Sequence, residues 1–124
     1  KILNDVEKQI RRRILLQTKT LILTPRYLVE LSDDICAIIP LPEVLWIYDH
    51  AAMRRTIKGR QLSYTIHVVT MKGEEYTLTG KSHREVSAIY HELNTRYPNF
   101  FFGYSKEHQE MVQYVLHEMK NEKA

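Results

Sequence analysis

The chain has 124 residues, of which 44% are hydrophobic and 27% are charged. This length and composition are typical of one globular domain and argue against intrinsic disorder. Its net charge of +3 is small for a nucleic-acid-binding protein, so no nucleic-acid partner is expected. The single cysteine, Cys36, excludes an internal disulfide, and no apolar run reaches the roughly 18 residues of a membrane span.

The first segment, residues 1–18, is predicted to contain a short amphipathic helix. Asn4 and Glu7 have the spacing of a capping box, and apolar residues recur at every fourth position from Val6. An arginine triplet at 11–13 makes this helix basic. The triplet is interpreted as a solvated helix face, and the alternative is the cytoplasmic flank of a membrane segment upstream of Lys1.

A series of β-forming segments follows the helix. They are predicted at residues 20–24, 27–31, 35–39, 44–57, 61–71 and 75–79. Polar or glycine-containing turns separate them at 32–34, 58–59 and 72–73. In the clearest segment, four alternating residues are predicted to share one face of the strand: Leu62, Tyr64, Ile66 and Val68. The short connections predict an antiparallel sheet.

Two helices are predicted after the strands. Ser82 and Glu85 form a second capping-box pattern before an apolar stripe that Pro98 ends. Residues 99–104 are predicted to be extended, and Ser105 is predicted to cap a last helix with apolar residues from Met111 onward. The predicted fold class is therefore α+β, an antiparallel β-meander or open barrel with an N-terminal helix and two C-terminal helices.

Two segments carry a family resemblance: LILTPRYLVEL at 21–31 and IIPLPEVLWIY at 38–48. With the long hairpin strands and the helix after them, they resemble the bacterial pleckstrin-homology-like (PH-like) domains. The resemblance implies a single domain, 1–124, with a PH-like core at 19–98 and a strand-helix extension at 99–124. Such an extension is similar to that of some uncharacterised bacterial proteins of this type. The family implies binding of peptides, partner proteins or lipid headgroups, often beside membrane segments.

A basic hairpin is the main candidate for ligand binding. Arg54, Arg55, Lys58 and Arg60 surround the predicted turn without any acidic residue among them. Clustered cations attract phosphate, so anionic lipid or phosphate is the expected ligand. The alternative is a solvated hairpin whose charges protect an edge strand.

An aromatic segment is the candidate for partner binding. Phe101, Phe102 and Tyr104 follow closely on one another, and consecutive strand residues cannot all face one side. An exposed ring there would anchor a partner or a second copy of the chain. The alternative is a strand that is buried on both faces.

Catalytic, metal and cofactor sites are not predicted. No acid, base and nucleophile set can be named, and Cys36 is interpreted as a buried inert thiol. The histidine pairs 108/117 and 83/91 lack the spacing of metal ligands on a helix.

The preferred hypothesis is a non-enzymatic protein-interaction or sensory module in the cytoplasm, tethered at the inner face of a bacterial membrane. The alternatives are anionic-lipid or phosphate binding through residues 54–60, an enzyme of unknown type, and a homo-oligomer. An upstream apolar segment is expected under the tethered hypothesis.

Overall fold

The computed structural model describes residues 2–32 and 35–123. The helices are α1 Ile2–Arg12, α2 His83–Arg96 and α3 Lys106–Lys123. The first four strands are β1 Leu16–Gln17, β2 Leu21–Leu23, β3 Tyr27–Ser32 and β4 Ile35–Pro40. After a short 3-10 helix, Leu41–Glu43, the others are β5 Val44–Thr56, β6 Gly59–Thr70, β7 Glu75–Lys81 and β8 Phe101–Phe102. The α+β class is confirmed, with two four-stranded sheets that form no closed barrel within this part of the chain.

Two compact units divide these elements. The first comprises Lys1–Pro42 and His83–Pro98, and the second comprises Glu43–Ser82 and Asn99–Ala124. In the first unit, β1, β2, β3 and β4 form an antiparallel sheet in chain order. Burial is nearly complete along its middle strands, where Leu21 and Leu28 are at most 1% exposed. The three residues of β2 are all apolar, which explains their burial on both strand faces, whereas β3 also buries the polar residue Glu30.

The N-terminal helix packs on this first sheet through its apolar stripe. Val6 joins Ile22, Tyr27 and Val29 in one buried cluster, and the Tyr27 hydroxyl donates a hydrogen bond to Asp5. The predicted cap at Asn4 is wrong, because the helix begins at Ile2 and Asn4 lies within its first turn. The helix does not fill the 1–18 segment. It ends at Arg12, and Leu16–Gln17 then pairs with β2 as an edge strand.

The first turn of α2 is joined to the β1–β2 connection by a buried carboxylate. Glu85 is 4% exposed, and its Oε2 accepts hydrogen bonds from the hydroxyls of Thr18 and Thr20 at 2.5 and 2.7 Å. The predicted stripe of this helix is confirmed by the burial of Ile89 and Leu93. Buried carboxylates need such donors, because desolvation without them is costly.

In the second unit, the sheet has the order β7, β6, β5, β8. The predicted long hairpin is confirmed: β5 spans 13 residues and pairs with β6 from Val44↔Thr70 to Thr56↔Gly59, with a shift in register between Val44 and Trp46. One departure from the antiparallel pattern occurs, because β8 pairs parallel to β5 through Trp46↔Phe101 and Ile47↔Phe102. A parallel neighbour requires a long connection, and the chain passes through β6, β7 and α2 before it returns.

The C-terminal helix packs on the inner end of this sheet. Val112, 1% exposed, lies in a cluster with Leu45, Trp46 and Val69. Ser105 caps the helix as predicted, since its hydroxyl accepts a hydrogen bond from the amide of His108 at 3.0 Å. By contrast, Met111 was predicted on the apolar face and is 53% exposed.

Backbone hydrogen bonds of Gly103 connect this C-terminal segment to β5. Its amide donates to the Ile47 carbonyl at 2.8 Å, and its own carbonyl accepts from Trp46 Nε1 and His108 Nδ1 at 2.9 Å each. A φ of 84° makes glycine the favoured residue at this point. The turn predicted at Asp33 and Asp34 and the side chain of Cys36 lie outside the described part of the chain.

Candidate functional site

The outer half of the β5–β6 hairpin, residues 52–63, is the candidate functional site. The third strand, β7, reaches this hairpin only as far as Lys81↔Tyr64. In the described chain, the pairs beyond Ala51↔Tyr64 therefore have no further strand on either side. At about 3.3 Å per residue, this outer hairpin extends roughly 15 Å beyond the three-stranded region.

All four predicted cations lie on this outer hairpin and are exposed. Arg55 lies directly opposite Arg60, whereas Arg54 lies opposite Gln61 on the other face. Lys58 occupies the turn. The structure thus brings Arg55 and Arg60 together and separates them from Arg54, because successive strand residues face opposite sides.

The Arg55–Arg60 pair is unfavourable for the hairpin alone. Like charges directly opposite each other on adjacent strands destabilise a sheet. The outer hairpin contains no Asp or Glu, and its four cations exceed the net charge of the entire chain, which is +3. An anion bound between the two guanidinium groups would relieve this repulsion, and a phosphate can accept hydrogen bonds from both.

Three apolar side chains share the outer hairpin with the cations. Met53 and Leu62 lie directly opposite each other and are 61% and 54% exposed, and Ile57 in the turn is fully exposed. Leu62 shares a strand face with the buried Ile66, as predicted, and it is exposed because β7 does not extend beside it. This apolar set was not identified from the sequence, although all three residues lie in the run MRRTIKGRQL at 53–62.

A second feature that sequence reasoning missed is a cluster of rings on the opposite face of the hairpin. Tyr48 stacks on His67 with ring centroids 4.7 Å apart, and His67 Nε2 lies 3.3 Å from His50 Nδ1. The cluster also includes Tyr104, whose ring centroid lies 6.0 Å from that of Trp46. Only the register of β5 and β6 brings the two histidines together, since they lie 17 positions apart.

Burial and neighbouring charges shift two pKa values in the ring cluster. The pKa of His67 is lowered from 6.5, first by desolvation and then by His50, while Glu75 acts in the opposite direction. The pKa of Tyr48 is raised, again first by desolvation and then by Glu75 and Tyr104. No group of three potential metal ligands occurs among the residues that the structure describes.

The predicted partner-binding residues occupy different environments. Phe101 is half-buried against the cluster around Trp46, and its ring lies 5.5 Å from that of His108. Phe102 and Tyr104 are 47% and 62% exposed. The exposure of Phe102 and Tyr104 argues against the alternative of a strand that is buried on both faces, while a role in partner binding stays a prediction.

One further groove lies beside α3, with a volume of about 400 Å³. Its lining consists of three apolar side chains, Met71, Leu116 and Met119, and two lysines, Lys72 and Lys120. Lys72 already forms an ion pair with Glu43 at 3.2 Å.

Within residues 2–32 and 35–123, every helix is too short or too polar to span a bilayer.

A family model described as "Domain of unknown function (DUF6709)" matches residues 6–112, which include the outer hairpin and most of both units. No curated protein and no solved structure matches the chain at a significant level.

Proposed function

The chain belongs to the DUF6709 family of domains of unknown function, and we propose that it is a non-enzymatic, PH-like binding module for anionic phosphate groups at a membrane surface. The observation that carries the proposal is the Arg55–Arg60 pair at the end of an exposed hairpin. The PH-like part of the proposal is supported by two consecutive sets of antiparallel strands, β1–β4 and β5–β7, followed by α2.

The charge distribution favours this ligand. Anionic lipids attract each Lys or Arg near the bilayer by about 1 kcal/mol. Because Arg55 and Arg60 share one face of a short hairpin, both can reach the surface together. The inner face of a bacterial membrane supplies such lipids, which is consistent with the predicted cytoplasmic location.

Sedimentation with vesicles tests the proposal. We expect binding to vesicles of phosphatidylglycerol and phosphatidylcholine, and little binding to vesicles of phosphatidylcholine alone. The double variant Arg55→Gln/Arg60→Gln should bind about 30-fold more weakly, the effect of two lost cations at about 1 kcal/mol each. Binding should also weaken as salt rises, because the contacts are exposed.

A matched control removes the same charge elsewhere in the same unit. Lys106 and Lys120 are exposed on α3, away from the hairpin in sequence. The variant Lys106→Gln/Lys120→Gln should retain most of the vesicle binding. Equal losses in both double variants would show that only net charge matters, and the hairpin would not be the site.

A protein partner is the second candidate function, and the exposure of Phe102 and Tyr104 favours it. Such a partner includes a second copy of the chain. Light scattering across a range of concentrations, without lipid, tests self-association. A dimer that Tyr104→Ser dissociates would support this candidate, and a monomer at all concentrations would argue against the homo-oligomer.

A further inference from the structure

We infer that the outer hairpin inserts apolar side chains into the bilayer, so that its ligand is a membrane surface and not a soluble phosphate compound. This inference rests on the proposed function, because the same cations hold the hairpin at the surface. It adds a defined face, a defined set of inserted residues and an orientation.

One face of the hairpin carries both apolar and cationic side chains, and a bilayer interface accepts both. Direct pairing places Met53 beside Leu62 and Arg55 beside Arg60, and these two pairs share a face because they are two positions apart on each strand. Ile57, in the turn beyond them, is fully exposed. The apolar side chains therefore lie on both sides of the arginine pair along the hairpin.

This arrangement is costly in water and favourable at an interface. Met53, Ile57 and Leu62 are each more than half exposed, although the other Val, Leu and Ile residues of β5 and β6 are buried. Burying such side chains in an apolar medium is favourable. Arg55 and Arg60 can extend from the same face toward the phosphate level while their apolar stems stay near the acyl chains.

The opposite face has a different composition. Ala52, Arg54, Gln61 and Ser63 lie there, and none of them is a large apolar residue. The hairpin therefore has one face suited to the bilayer and one suited to water, an asymmetry typical of segments that lie in the interface plane. Charge complementarity with anionic lipid selects this occupant for the apolar face.

Labels on adjacent residues test the orientation. Met53 and Ala52 are neighbours on opposite faces, so M53C and A52C, each in a Cys36→Ala background, form a matched pair. Each variant is labelled with an environment-sensitive fluorophore and mixed with anionic vesicles that carry brominated acyl chains. We expect a blue shift and strong quenching for the label at 53, and little change for the label at 52.

Substitution tests the energetic part. Ile57→Asp should weaken binding to anionic vesicles on the order of tenfold, because it removes an inserted side chain and adds an acid. Ile57→Leu is the control that keeps the apolar side chain, and it should bind like the parent. Far-UV circular dichroism of all variants should be unchanged, since Ile57 contacts solvent on all sides.

The outcomes separate this inference from the proposed function. If Arg55→Gln/Arg60→Gln abolishes binding while labels at 52 and 53 respond alike and Ile57→Asp binds normally, insertion is wrong and surface binding stands. If the arginine variant binds normally, both are wrong. Competition by free inositol hexakisphosphate at concentrations equal to the lipid phosphate would overturn the requirement for a bilayer. A lipid-free dimer that Met53→Glu dissociates would assign the apolar face to a second copy of the chain.

Discussion

The two ends of the β5–β6 hairpin share one backbone ladder and differ completely in environment. At the inner end, Ile47, Ile66 and Val68 are at most 1% exposed, and β7 and β8 extend the sheet there. At the outer end, Met53 and Leu62 are more than half exposed. The apolar pattern of the sequence therefore continues past the point where the core ends, so strand formation and burial are separate properties of this hairpin.

The largest expected effect is the loss of stability when packing at the inner end is disrupted. Ile66 and Leu62 lie on the same face of the same strand, with exposures of 0% and 54%. Ile66→Ala should lower the free energy of unfolding by about 2–5 kcal/mol, the usual cost of removing a large buried side chain. Leu62→Ala should change it by less than about 0.5 kcal/mol. Urea unfolding of both variants measures the difference, and similar losses would contradict the division into two ends.

A smaller effect is expected at the tip, where backbone geometry replaces packing. Gly59 begins β6 with a φ of 116°, a conformation that side chains disfavour. Gly59→Ala should therefore cost about 1–2 kcal/mol, although nothing lies within 4 Å of the added methyl group. Ile57→Ala, in the adjacent turn, should leave stability nearly unchanged. A Gly59→Ala protein as stable as the parent would show that the turn adapts, and the hairpin would then lack a fixed tip.

Much of this fold follows from local patterns. Alternation along residues 61–71 predicts β6, the helical stripe after Ser82 predicts α2, and glycines at 59 and 73 mark both hairpin turns. Two features were not predicted: the short strand Leu16–Gln17 and the parallel pairing of β8. Both depend on which distant strand is available as a neighbour, and a two-residue strand has too few residues to show a period.

The candidate site was predictable in its charges and not in its shape. The four cations stand out in the sequence, whereas the direct opposition of Arg55 and Arg60 depends on the position of the turn. Leu62 and Ile66 follow the same alternation in the sequence, and only the extent of β7 distinguishes their environments. The His50–His67 contact likewise depends on register.

The smallest expected effect concerns pH, and it belongs to the ring cluster between the two ends. Because desolvation and His50 lower the pKa of His67, the unfolded chain binds more protons than the folded chain as pH falls below the ordinary histidine value of about 6.5. The stability that His67 contributes is thus fully present above that pH and is lost as pH falls through the lowered pKa. The urea midpoint should drop between about pH 7.5 and 5.5 by less in His67→Gln than in the parent. His117→Gln, on exposed α3, should keep the parental dependence, and an unchanged slope in His67→Gln would remove the cluster as its source.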